Sequence, residues 1–320
     1  MFVPGPQCGA AQGCKPPQYA NTGTDLGNTT SVTYGSGMIS GENFLDQVTV
    51  ADLTADNQNV ISLTSAQGFN TSDSNSLLGM GFSTIAQSMM PTYFENLISQ
   101  GKVKTQEFAF YLGRAASNTQ GRSELTLGGR DTSRFTGAVT QVPVTKKGYW
   151  QVAVDKVAVS GIADPIDTAV TKGQAAIDTG TTLVLAPTAA ATAIFARIPG
   201  SFPIPLVEGS TTLFAFPCNT KKEVELVFAG QRFAINPLDL SLGTLTQNFG
   251  LAMGDNALTS LITTLTDQFC VAGIAGGDLD PSQNLYVVGD VFLKNWYSIY
   301  NYVNAGGQPS VSFAKAAGNQ

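Results

Sequence analysis

Glycine and proline punctuate this chain from end to end, 34 of the first and 15 of the second, and break it into short segments. Between the breaks, apolar residues alternate rather than recur at helical spacing, as in EFAFYLG (107–113) and SELTLGG (123–129). Short alternating runs bounded by turn residues read as strands. The predicted class is therefore all-β with a few short helices. At 320 residues the chain can bury a large core and divide into two domains. Only 12% of residues are charged, so Ser, Thr, Asn and Gln must carry most of the polar surface.

Residues 1–30 read as loops, and 31–50 as a hairpin reversing at YGSG, 34–37. In MPTYFENLISQGKV (90–103), Phe94, Leu97 and Ile98 share one face of a short helix that Gly101 stops. The charged turn in PVTKKGYW (143–150) is read as the boundary between an N-terminal lobe, 1–145, and a C-terminal lobe, 146–320. WQVAVDKVAVSG (150–161) then reads as a strand pair, and AAIDTG as strand and turn. APTAAATAIFARI (186–198) has helical propensity, with Thr188 as its cap after Pro187. VELVFAGQRFAI (224–235) reads as a hairpin, and LYVVGDVFLKNWYSIYN (285–301) as strand, turn, strand. Each half carries an apolar-apolar-Gly element, LLG at 77–79 and VVG at 287–289, but Asp-Thr-Gly occurs only in the second.

The chain contains no histidine, which excludes Ser-His-Asp and Cys-His catalysis and histidine-ligated zinc. Acid–base chemistry falls to carboxylates, Tyr, Lys or Cys. A net charge of −6 without a basic tract argues against nucleic-acid binding. Cys8, Cys14, Cys218 and Cys270 allow three pairings, of which 8/14 with 218/270 is the economical one; four free thiols are the other reading. Disulfides imply an oxidising compartment. Asn28 (NTT) and Asn70 (NTS) stand in glycosylation sequons. No membrane helix is visible, and the opening MFVPGPQCG has neither the basic nor the apolar region of an export signal.

Asp178, in AAIDTGTT, follows an apolar run and precedes a Gly turn. An Asp at the end of a buried strand needs hydrogen bonds, a charge partner or a proton. Thr179 and Thr181 offer hydroxyls, and Gly180 lets backbone amides approach. The local sequence alone is equally compatible with an Asx turn ending a strand.

In order along the chain, YGSG (34–37), PTYFENLISQGKV (91–103), SELTLGG (123–129), GYWQVAVDKVAVSG (148–161), AIDTGTT (176–182) and VVGDVFL (287–293) resemble the pepsin-like aspartic endopeptidases over essentially the whole length. The resemblance implies a bilobal acid-protease fold, with an extended polypeptide cut between the lobes by a water that paired aspartates activate. It implies no metal or organic cofactor, a monomer, polypeptide substrates, and a secreted or vacuolar location. Asp178 is similar to the second-lobe catalytic aspartate. Thr179, Gly180 and Thr181 resemble its supporting loop, and Gly289 the glycine behind that loop, with Gly79 its first-lobe counterpart. Tyr34, Gly35, Ser36 and Gly37 resemble the flap that covers substrate. The cysteines fall where the family's lobe disulfides lie.

The opening Met1-Phe2-Val3-Pro4 resembles the stretch just after the family's first Asp-Thr-Gly, with Phe2 where a tryptophan is usual. A phenyl ring lacks the indole N–H that a flap tyrosine would meet. The first lobe is thus expected to be incomplete and the first catalytic aspartate missing. The chain would be a piece of a longer protein, a truncated inactive product, or half of a two-chain site. The class-level alternative is a non-catalytic pepsin-fold binding protein.

Overall fold

The computed structural model describes residues 1–34, 37–69, 76–162, 166–204, 211–249, 267–303 and 305–318. They are mostly strand with a few short helices, as the alternation predicts. The backbone divides into two compact units, Met1–Gln106 with Lys147–Tyr149, and Glu107–Lys146 with Trp150–Gln320.

In the first unit, β1 (Phe2–Pro4), β2 (Thr24–Tyr34), β3 (Gly37–Val50) and β4 (Leu53–Gln67) form one sheet in the order β1-β4-β3-β2. The predicted hairpin is β2–β3, whose last pair is Tyr34 with Gly37. β1 runs parallel to β4, setting Phe2 beside Ile61. Phe2, Ile39, Ile61, Leu63 and Ala66 make a core with Cys8 and Cys14, which are disulfide-bonded. The predicted helix is α1 (Tyr93–Ser99), with Phe94 and Leu97 fully buried. Its first turn is held by Glu95 Oε2, which accepts from the Thr92 N–H at 2.9 Å. The chain leaves it through Gly101 at φ +65°, a left-handed conformation that glycine takes without strain.

The second unit begins with β5 (Glu107–Tyr111), β6 (Glu124–Leu127), β7 (Phe135–Lys146), β8 (Gln151–Val154) and β9 (Lys156–Val159). There follow α2 (Thr168–Thr171), β10 (Gly173–Ile177), β11 (Val184–Ala186), α3 (Thr188–Phe195), β12 (Phe202–Ile204), β13 (Leu213–Pro217), β14 (Val224–Phe228) and β15 (Gln231–Ile235). The rest are α4 (Pro237–Leu240), β16 (Ser241–Thr244), α5 (Leu245–Phe249), β17 (Phe269–Ala272), β18 (Ile274–Gly276), β19 (Leu285–Val288), α6 (Asp290–Leu293), β20 (Trp296–Asn301) and β21 (Ser310–Ala316). Ten of these strands form one sheet, β18-β11-β19-β10-β8-β7-β21-β20-β5-β6. Two smaller sheets, β12-β13-β17-β16 and β15-β14-β9, complete the unit. The Cys218–Cys270 disulfide closes the pairing scheme that keeps each bridge within one half of the chain.

Local features differ from the sequence reading. β1 and the start of β2, from Thr24, are strands within the stretch 1–30 read as loops. The compact units do not divide at 145/146: residues 107–146 pair with the chain's end, β5 on β20 and β7 on β21, while Lys147–Tyr149 returns to the first unit. WQVAVDKVAVSG gives two strands that enter different sheets, β8 beside β7 and β10, and β9 beside β14. The turn expected within 285–301 is the helix α6, one apolar turn whose Val291, Phe292 and Leu293 are all buried. Pro187, not Thr188, stands at the cap of α3; the Thr188 N–H is met at 2.9 Å by Asp278 Oδ1. The hairpin 224–235 forms as read, β14 on β15, with Ala229 and Gly230 both at positive φ, as a tight type I′ turn requires.

Candidate active site

β10 is enclosed on both sides, parallel to β19 and antiparallel to β8, and its Ala175, Ala176 and Ile177 are buried. Asp178 is where this buried strand ends. Its N–H still donates to Val288 O at 3.1 Å, the last bond toward β19. The chain then turns back over the side chain. The Gly180 N–H donates to Asp178 Oδ1 at 2.9 Å, and the Thr181 hydroxyl donates to Oδ2 at 2.7 Å. Each carboxylate oxygen therefore has one fixed donor and keeps a further lone pair. A Cβ at residue 180 would lie 3.1 Å from Oδ1, so glycine lets the amide approach closely. Asp178, Thr179 and Thr181 are half-buried, and Gly180 is exposed.

The turn is clamped from behind. The Gly289 N–H donates to Leu183 O at 3.1 Å, that of Asp290 to Thr181 O at 2.8 Å, and that of Val291 to Thr182 O at 3.0 Å. A Cβ on Gly289 would lie 2.0 Å from Thr181 O and 2.5 Å from Leu183 O, so only glycine fits. The expected counterpart Gly79 has no such approach: its nearest neighbour would be Leu77 Cδ2 at 3.9 Å.

Around Tyr34 three rings converge. Tyr34 lies 6.1 Å from Phe2 and 5.7 Å from Phe69 by ring centroids, and Phe2 lies 5.6 Å from Phe69. Phe2 thus meets the hairpin tyrosine through ring packing. Burial raises the Tyr34 hydroxyl above the ordinary phenol range. Gly37 opens β3 against Gln67 O, which a Cβ would approach to 2.0 Å. Gly35, Ser36 and the sequon residue Asn70 lie outside the described residues.

One group beside Asp178 escaped the sequence reading. Asp290 starts α6, and its Oδ1 is buried without a hydrogen-bond partner among the described residues. Burial pushes its carboxyl up to about 6, the Lys294 ammonium opposes this, and the Asp178 charge adds to it. The Ser298 and Tyr300 hydroxyls, two residues apart on β20, are buried as well. They are near enough for Ser298 to ease the ionisation of Tyr300, yet among the described residues neither makes a hydrogen bond of sound geometry. Burial is the main cause of the raised Tyr300 hydroxyl, with smaller contributions from the charges of Asp178 and Asp290. Its ring packs on Trp150 at 5.4 Å, and the Trp150 carbonyl accepts from the Ile177 N–H. The available signal was the Asp in VVGD and the period-two spacing in WYSIY.

Among the described residues no three His, Cys, Asp or Glu side chains cluster as metal ligands, and no helix is long and apolar enough to cross a membrane. What the site presents is a carboxylate held at a strand end by an amide and a hydroxyl, with a second carboxyl nearby whose proton burial holds more tightly than usual.

The pattern for eukaryotic aspartyl proteases matches residues 2–316. The chain is 36% identical over 322 residues to an aspartic protease of Phaffia rhodozyma, spanning 98% of this chain and 70% of that protein. It is 30% identical over 312 residues to cathepsin E of Mus musculus, spanning 95% and 72%. It is 30% identical over 328 residues to a probable vacuolar protease A of Trichophyton verrucosum, spanning 99% and 72%. A match over nearly every residue agrees with the resemblance read from the motifs, and this chain belongs to the eukaryotic aspartyl protease family.

Proposed function

We propose that the chain serves as an aspartic endopeptidase, with Asp178 as one of two carboxylates that activate water against a peptide bond. The observation that carries this is the Asp178 turn, in which Gly180 and Thr181 orient both carboxylate oxygens. An ionised carboxylate takes a proton from water, while a protonated partner polarises the carbonyl and stabilises the developing oxyanion. Asp-Thr-Gly occurs once in the 320 residues, so the proposed partner is supplied by chain outside them. Thr179 and Gly289 keep their proposed roles in supporting the catalytic loop. Tyr34, Gly35, Ser36 and Gly37 form the proposed flap over an extended polypeptide with apolar side chains beside the cut. The acting form is a monomer without nucleic-acid partners. Its two disulfides and the vacuolar relative favour a secreted or vacuolar location.

The test is proteolysis of a denatured protein at acidic pH by a protein that joins these residues to a second Asp-Thr-Gly segment. Asp178→Asn should lower the rate at least about a thousandfold, because members of a cooperative catalytic unit fail together. A retained rate refutes the assignment. The lone Asp-Thr-Gly favours one second reading, a polypeptide-binding protein without cleavage. Substrate binding with intact peptide bonds, in the protein carrying both segments, would select it.

A further inference from the structure

Asn28 stands where β2 departs from regular pairing. Asp25 pairs with Phe44 and Thr29 with Glu42, so β2 carries two extra residues between these pairs. The excess is taken up at Gly27, at φ +67°, whose N–H folds onto Asp25 Oδ1 at 2.8 Å. Gly27 and Asn28 are consequently exposed, and the space beside Gly27 is open. Asn28 is nevertheless held. Asn43 Nδ2 donates to its Oδ1 at 2.8 Å and to its backbone carbonyl at 3.3 Å. With the amide oxygen turned toward Asn43, the Asn28 Nδ2 faces the other way, to solvent.

Asn28-Thr29-Thr30 has the form of an N-glycosylation acceptor. We propose that Asn28 carries an asparagine-linked glycan on the outer end of the β2–β3 hairpin. In its transfer from a lipid pyrophosphate-linked oligosaccharide, the bond from Nδ2 to sugar C1 forms. The bond from C1 to the pyrophosphate oxygen breaks, the lipid pyrophosphate leaves with that electron pair, and one amide proton passes to a base of the transferase. Oδ1 is untouched, so the hydrogen bond from Asn43 survives and the sugar projects from the exposed bulge. The two disulfides point to the oxidising compartment in which such donors act.

The fold also sets the order of events. Thr30, whose hydroxyl the acceptor motif requires, is buried, and that hydroxyl is engaged by Asn43, as acceptor from Nδ2 at 2.9 Å. Asn43 is itself held by Asn59 Nδ2, which donates to its Oδ1 at 3.2 Å. Once β2, β3 and β4 have paired, the motif's hydroxyl is closed to a transferase. Transfer therefore precedes closure of the hairpin.

The experiment is secretion of the full chain, fused behind a cleavable export signal, from a eukaryotic host, followed by peptide mapping before and after digestion with peptide N-glycosidase in heavy-oxygen water. The peptide containing Asn28 should carry sugar and appear as labelled aspartate after digestion. The sugar should be lost in Asn28→Gln and kept in Thr30→Ser. Full recovery of that peptide unmodified from the wild-type chain overturns the proposal, as does a glycan mass unchanged in Asn28→Gln. If Asn28→Gln fails to accumulate, the wild-type map alone decides. Folded, sugar-free chain from bacteria, offered to the purified transferase, should stay unmodified, whereas the same chain unfolded should accept sugar. Equal acceptance by both forms overturns the proposed order.

Discussion

At Asp178 the carboxylate is oriented by donors on its own turn, whereas at Asp290 a carboxyl is buried with one oxygen unpaired among the described residues. The difference has a measurable sign. The folded chain holds the Asp290 proton to about 6, against 3.8 for an unperturbed side chain. Stability from this group is therefore fully present below the unfolded value and is lost as pH rises through the folded one. A shift of this size is worth at most about 3 kcal/mol. The facing charges that bear on it are Lys294, which favours the ionised form, and Asp178, which opposes it. Urea unfolding across this interval, followed by tryptophan fluorescence, should show the falling stability in the wild type and a flatter profile in Asp290→Asn. Equal slopes would overturn the assignment. The choice of probe is clean because Trp150 and Trp296 both lie in the second unit. Tyr300→Phe tests the same pocket with the opposite expectation. It deletes a buried hydroxyl without a sound partner, so it should be neutral or stabilising by up to about 1 kcal/mol. A loss of more than that would mean that an ordered water satisfies the hydroxyl.

Among the elements, β19 and α6 matter most to the site, because the glycine between them lies against the carbonyls of the Asp178 loop. Gly289→Ala forces Thr181 O or Leu183 O to move, and overpacking of this kind costs about 1–3 kcal/mol or more. Gly79→Ala meets its nearest neighbour at ordinary contact distance and should stay within about 1 kcal/mol of wild type. Thermal unfolding of both variants checks the contrast; equal losses would remove the special role of Gly289. VVG and LLG look alike in sequence, and only the packing separates them. The same limit explains what could be read beforehand. Alternation in VELVFAGQRFAI and the Ala-Gly turn specify a local hairpin, and it forms. Alternation in WQVAVDKVAVSG specifies strands but not partners, and β8 and β9 part into different sheets. The DVFL turn is too short for a helical period to show, so α6 became visible only in the fold. Asp178 was legible because its donors lie within three residues. Asp290, Ser298 and Tyr300 were not, since their burial depends on how α6 and β20 pack.

For the molecule as a whole, the segment 107–146 is joined to the rest of the second unit by strand pairing, by hydrogen bonds such as that from the Tyr111 hydroxyl to Ala317 O, and by a buried ion pair. Arg114, beyond β5, donates through Nε to both oxygens of Asp239, at 3.0 Å each, and through Nη2 to Asn295 Oδ1 at 2.8 Å. Asn295 in turn accepts the Asn236 N–H at 3.0 Å and donates to Val291 O at 2.9 Å, which links the loop after β5 to α4 and the end of α6. In a chain with only 12% charged residues, nothing in the sequence marks two charges 125 positions apart as partners. Both side chains are almost wholly excluded from water, at 3% and 4% exposure. Desolvation then offsets most of their attraction, so the pair contributes little net stability while either charge alone is strongly destabilising. Arg114→Met should therefore lower the stability of the second unit by about 3–5 kcal/mol, with Asp239→Leu similar. The double variant should recover most of the loss, because it leaves no unpaired charge and fills the space with apolar atoms. Tryptophan-monitored denaturation of the two single variants and the double one measures this directly. Additive losses would mean that the two side chains act separately.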